Sequence, residues 1–325
     1  GDDARGEYIY KFVSKAMWSN NDIGGGLKAG DKYLNEGTLY VAIFNEDGSG
    51  EWKALVQGQN GLDAFNSALP FNSQDEVLVY ARAAGDAAGA TKMDRPEWVS
   101  VSPMTGDVYV TLTNNKYRGV REDQPLSAAN PRSYQINGKP SGNDNGHIIR
   151  WAETGGDHAA TSFEWDIYLF GAPSNLSAEN LSQLSASNDL SSPDGLYFDP
   201  RGVLWIQTDD GAYTDTTSCM LLAALPGKVS DGTTITTSAG QQTRIGMPAS
   251  NDNIKRFFVG PEGCEVTGIT MTPDFKTLFI NIQHPGNTWG AVAGGSTPRS
   301  ATVMITKEDG DVILAESFES AASPA

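Results

Sequence analysis

Alternation of apolar and polar residues dominates this chain. "EYIYKFVS" (7–14) and "GTLYVAIFNEDGSGEWKAL" (37–55) run at the period of a β-strand, and "EDGSG" splits the second into a hairpin. One stretch carries a helical period instead. Ser73 and Glu76 have the spacing of a capping box, and Val77, Tyr80, Ala81 and Ala84 then follow at i, i+3, i+4 and i+7, which predicts a helix over 73–84. A weaker helix is predicted from Ser177 in "SAENLSQL". "DIGGGLKAG" (22–30) reads as a flexible loop, because it lacks the GKS/T ending of a phosphate-binding loop.

A phrase recurs three times. "EWVSVSPMTGDVYVTLTNN" begins at Glu97, "DGLYFDPRGVLWIQTDDG" at Asp194 and "TGITMTPDFKTLFINIQHPG" at Thr267. In each, an alternating run reaches a proline (Pro103, Pro200, Pro273) six residues on, a tight turn follows, and a strand with large apolar residues returns. Repeated strand–turn–strand units with other strands between them predict an all-β fold, a β-propeller, with one or two short helices. Uneven spacing assigns 114–147 and 226–251 to inserted loops. Residues 1–315 form the propeller region, and the polar "ESFESAASPA" (316–325) is expected to be a flexible tail.

Equivalent strand ends of a propeller converge on its central channel. Two copies open on an acid, Glu97 and Asp194, and Glu262 and Glu265 lie just upstream of the third. The repeat is therefore expected to gather these carboxylates into an oxygen-rich cation site. Just before Glu97, "DRPEW" (94–98) sets Arg95 and Glu97 on either side of Pro96. Arg95 suits an anion, since its planar fork gives two parallel hydrogen bonds. Asp94 is expected to be a turn carboxylate. Trp98, Trp151, Trp165 and Trp205 lie in β runs and are assigned to the core.

Composition narrows the function. The 325 residues include 36 Gly and 16 Pro, which favours short elements joined by turns. The net charge of −17 argues against a nucleic-acid partner, because phosphate backbones are bound by clustered Lys and Arg. No apolar run approaches the ~20 residues that span a bilayer. The three histidines make a multi-histidine zinc site improbable. Cys219 and Cys264 could form one bridge or remain buried thiols. The start lacks an initiator Met and a leader-like segment, so either a leader has been removed or the chain begins inside a longer protein.

"GDDARGEYIYKF" (1–12), "RPEW" (95–98), "SPDGLYFDPRGVLWIQTD" (192–209) and "FFVGPEGCEVTGITMTPDFKTLFINIQHPG" (257–286) resemble, in order, the C-terminal half of the PhoX-type alkaline phosphatases. The resemblance implies a six-bladed propeller that hydrolyses phosphate monoesters with calcium and iron in the channel mouth. It also implies export to the periplasm or outside the cell. On its motifs, Asp2 or Asp3 matches a metal-ligating carboxylate, Arg95 the phosphate-contacting arginine, and Glu97 and Asp194 metal ligands. Glu262, Glu265 and His284 are assigned to metal or substrate by position alone.

The chemistry suits these residue types. A transferring phosphoryl group gathers negative charge, which cations and an arginine fork stabilise. A metal site can also supply the nucleophile, and no Ser-His-Asp motif is evident. Family members are much longer, and the resemblance places further ligands, including an iron-bridging cysteine, in their other half. Cys219 and Cys264 do not fall in that motif. The chain is thus expected to be a fragment whose ring an N-terminal half completes, the partner of a second polypeptide, or a shortened relative that closes differently. Three functions stay open: a phosphomonoesterase, a non-catalytic calcium-binding or interaction module, and, by fold analogy alone, a propeller lactonase.

Overall fold

The computed structural model describes residues 1–209 and 218–314, so the tail expected at 316–325 lies outside the described residues. The chain opens with β1 (Arg5–Glu7) and β2 (Tyr10–Ser14), two strands where the alternation predicts one. A short helix, α1 (Leu27–Leu34), follows inside and beyond the stretch read as a flexible loop. Three glycines before Leu27 masked it. The predicted hairpin forms as β3 (Gly37–Phe44) and β4 (Ser49–Ala54). Asp47 Oδ1 accepts from Ser49 N at 2.9 Å in its turn, and Gly48 takes φ 85°.

The helix expected at 73–84 is two pieces, α2 (Gln74–Val79) and α3 (Ala81–Ala87), broken by non-helical Tyr80. Ser73 Oγ accepts from Glu76 N as the capping pattern requires. Val77 and Ala84 keep the predicted buried face and cover Tyr8, Val41, Leu55 and Phe71. Tyr80, placed on that face by its spacing, is half exposed. The weaker helix from Ser177 is instead a run of turns.

Strands then continue as β5 (Met93–Asp94), β6 (Pro96–Val101) and β7 (Val108–Leu112), a small hairpin β8 (Tyr134–Ile136) and β9 (Lys139–Gly142), then β10 (His147–Glu153) and β11 (Ser162–Phe170). After these come β12 (Pro193–Phe198), β13 (Leu204–Thr208), β14 (Met220–Ala224), β15 (Thr233–Thr236), β16 (Gln242–Ile245) and β17 (Ile254–Val259). The series closes with β18 (Glu265–Met271), β19 (Thr277–Gln283) and β20 (Ala301–Thr306).

Consecutive antiparallel sheets make the blades. The orders are β6-β7-β10-β11, β12-β13-β14-β17 and β18-β19-β20, while β2-β3-β4 joins the edge of the first through β11. Residue parity decides which neighbour each strand faces. Tyr109, Ile148 and Leu169 pack on Leu204, Ile206 and Leu222 of the next sheet. From the other face of that sheet, Trp205, Leu221 and Ala223 meet Leu278, Ile280 and Ile282. Val108, Val110, Trp151 and Trp165 meet Phe44 and Trp52 on the opposite side. Successive sheets thus stack face to face, a propeller-like all-β fold, as the repeat predicts. Trp98 departs from its assignment: it is 36% exposed, whereas Trp151, Trp165 and Trp205 are buried.

The two insertions are tied down rather than loose. Segment 226–251 carries β15 and β16, and its Asp231 accepts from buried Arg150 Nη2 at 2.6 Å. Segment 114–147 is anchored by Asp94, which corrects the turn assignment. Asp94 is fully buried and accepts from Arg118 Nε and Asn115 Nδ2 at 2.8 Å and from Asn143 Nδ2 at 3.0 Å. Cys219 and Cys264 are buried thiols of one core, and no disulfide joins them.

Candidate active site

The three copies of the phrase are the hairpins β6–β7, β12–β13 and β18–β19. Each first strand bulges at the same phase. Its register slips between Pro96 and Val99, between Pro193 and Leu196, and between Thr267 and Ile269. A bulge re-aims the side chains it carries. Glu97 and Asp194 occupy it in the first two copies.

A second feature repeats with it. Arg95 (φ 56°) and Ser192 (φ 51°) each hold a left-handed conformation just before the proline that opens the strand. That is strained for any non-glycine residue, more so ahead of proline. Each carbonyl accepts from the exit of the second strand, Arg95 O from Thr113 N at 3.1 Å and Ser192 O from Asp209 N at 3.0 Å. Asp209 is the candidate site residue that sequence reasoning missed. Its signal was an acid one step past a repeated strand, at the exit instead of the entrance.

Antiparallel pairing brings the start of the chain to the same place. Arg5 lies opposite Asp94, so residues 1–3 run across the Arg95–Pro96–Glu97 bend. Asp3 takes both ends of the Arg95 fork. Nε donates to Oδ1, and Nη2 donates to Oδ2 at 2.8 Å. Nη2 also stands 3.7 Å from Asp209 Oδ2. Asp2 is exposed, and it is Asp3 that makes the arginine contact.

Around this cation the carboxylates crowd. Burial, then the negative charge of Asp194 and a hydrogen bond to Asp3, push Glu97 up to about 8. Burial, with Glu265 and Asp209 nearby, raises Asp194 to about 7. Glu265 moves up for the same first reason, helped by Asp209. Asp3 goes the other way, because its bonds to Arg95 and Glu97 outweigh its burial. Asp3 and Glu97 therefore titrate as a pair, with the two carboxyls pushed in opposite directions.

Asp209, Glu265 and His284 place one ligand atom each within 4.8 Å of one another, and His284 Nε2 lies 3.5 Å from Glu265 Oε2. Glu262 stands apart: it is exposed, and its Oε2 accepts from Asn287 Nδ2 at 2.7 Å. Of the residues singled out from sequence, Asp3, Arg95, Glu97, Asp194, Glu265 and His284 come together, while Asp2 is exposed beside Asp3 and Glu262 is exposed and bonded to Asn287.

A protein-family model described as alkaline phosphatase PhoX matches residues 1–286. The chain belongs to the PhoX family. Among solved structures, it is similar to a PhoX from Pseudomonas fluorescens in complex with vanadate, a transition state analogue. That PhoX shares 39% identity at a TM-score of 0.79, over 97% of this chain and 51% of its own. The chain thus spans about half the length of that PhoX. No curated protein matches. Among the described residues, no helix is long and apolar enough to cross a membrane.

Proposed function

We propose that this chain carries half of the site of a metal-dependent phosphomonoesterase, with Arg95 as its phosphate contact. One observation carries the proposal: successive repeats bring Glu97, Asp194 and Asp209, with Asp3, around a single guanidinium, and Glu265 lies beside Asp194 and Asp209. Carboxylates crowded together in this way, with burial holding Glu97 and Asp194 up near neutrality, are a donor set suited to hard cations. Asp3, Glu97 and Asp194 offer oxygen only and would suit calcium. Asp209, Glu265 and His284 add an imidazole and would suit iron. When bound, such cations neutralise the phosphate and activate a nucleophile.

The chain's own groups do the rest. The Arg95 fork can take two phosphate oxygens in parallel once the Asp3 carboxylate releases it. The Asp3–Glu97 pair holds a proton beside that position. The proposal assigns this chemistry to the periplasm or outside the cell, as the resemblance implies. Its substrate is a phosphate monoester, and the N-terminal half of the family domain is the partner that would supply further ligands.

The test is release of phosphate from a generic aryl phosphate, beside a lactone control, with metal content measured by mass spectrometry. Turnover lost to a calcium chelator, with calcium and iron bound, is expected. Turnover of the lactone alone would overturn the proposal. A second reading, a calcium-binding module without catalysis, is favoured by the position of Cys219 and Cys264 within a hydrophobic core. Burial pushes the Cys264 thiol up to about 11, far from the thiolate a metal bridge needs. Calcium uptake and heat resistance without turnover would identify it.

A further inference from the structure

Thr111 lies in the middle of β7 and is fully buried. Its hydroxyl accepts from Trp98 N at 3.0 Å and donates to the Asp194 carbonyl at 2.6 Å. Trp98 N belongs to the bulge that carries Glu97, and the Asp194 carbonyl to the bulge of the neighbouring sheet. One hydroxyl therefore ties together the two bulges that aim the site's carboxylates. Two residues on, Thr113 Oγ1 reaches Asp194 Oδ2 at 3.5 Å.

The matching positions in the other copies are built differently. Gln207 holds the place in the second copy, fully buried, with neither amide atom hydrogen-bonded among the described residues. Gly195 leaves it room, since a Cβ there would stand 2.3 Å from Gln207 Oε1. In the third copy Asn281 faces Gly268, and its Oδ1 accepts from Thr302 Oγ1 at 2.8 Å. The closed bulge-to-bulge link is thus seen where two acids stand on adjacent inner strands.

We propose that Thr111 is a positioning residue that fixes the separation and direction of the Glu97 and Asp194 carboxylates, and through them the affinity for cation. The inference rests on the proposed cation-holding role of those two acids. A bulge leaves backbone groups without ladder partners, and a hydroxyl with one acceptor and one donor is the smallest side chain that satisfies both. Supporting groups behind ligands are worth about 10–100-fold in metal affinity.

Thr111→Val keeps the shape and removes both hydrogen bonds, Thr111→Ser keeps both, and Thr111→Ala removes both with less bulk should the valine fail to fold. Calcium affinity by calorimetry is expected to fall about 10–100-fold in the Val or Ala variant and to recover in the Ser variant. Crystal structures should show the Glu97 and Asp194 carboxylates displaced relative to each other in the variants without a hydroxyl. A lower melting temperature with unchanged calcium affinity and unmoved carboxylates would reduce Thr111 to a purely structural residue and overturn the inference. Should the unmodified chain take up no calcium, the proposed function falls. The crystal structures still judge the clamp, and unmoved carboxylates would overturn it.

Discussion

Arg95 holds a left-handed backbone, a strain on the order of 1–3 kcal/mol for a non-glycine residue. The fold keeps it there through the Thr113 N–H on its carbonyl and the Asp3 carboxylate on its fork. That carboxylate presents two oxygens to Nε and Nη2, the same pattern a phosphate would present. Lysine retains the charge and loses the fork. Arg95→Lys and Arg95→Ala are both expected to lower kcat/KM on an aryl phosphate by about 10²–10³. Inorganic phosphate affinity, measured with calcium present, should drop alongside. Steady-state kinetics with phosphate calorimetry checks this, and a fully active lysine variant would remove Arg95 from the phosphate contact.

The hairpin elements were legible because proline, turn and alternating residues recur at one phase, which a sequence shows directly. Glu97 and Asp194 were legible for the same reason, since the bulge falls at that phase. Asp209 was not, because it lies at a strand exit whose equivalents are Thr113 and Gln283 rather than acids. Asp94 looked like a turn residue beside Arg-Pro, and nothing local announces Arg118, 24 residues on. Its role belongs to the element scale: it ties β5 to segment 114–147 through a pair whose side chains are 0% and 1% exposed. Removing one partner of such a pair strands the other charge in the interior. Asp94→Ala is therefore expected to destabilise the chain by about 3–5 kcal/mol in urea unfolding. A loss under about 1 kcal/mol, the range of surface pairs, would show that Arg118 finds compensation in the Pro125 and Lys92 carbonyls.

For the whole molecule, the crowded carboxylates couple folding, pH and cation. Glu97 at about 8 and Asp194 at about 7 both lie above the ordinary values of 4.5 and 3.8. Between those limits the folded chain binds more protons than the unfolded one, so stability falls as pH rises through the window. A cation takes the place of those protons, so its affinity must rise over the same range. In the presence of a chelator, the melting temperature is expected to fall from pH about 5 to about 8.5. Calcium should raise it more at the alkaline end. General self-repulsion of a chain with net charge −17 would also lower stability with pH, so one control separates the two causes. Glu97→Gln keeps a neutral side chain at every pH and should flatten the chelator slope while weakening the calcium response. A Glu97→Gln slope as steep as that of the unmodified chain would assign the effect to overall charge rather than to the carboxylates around Arg95.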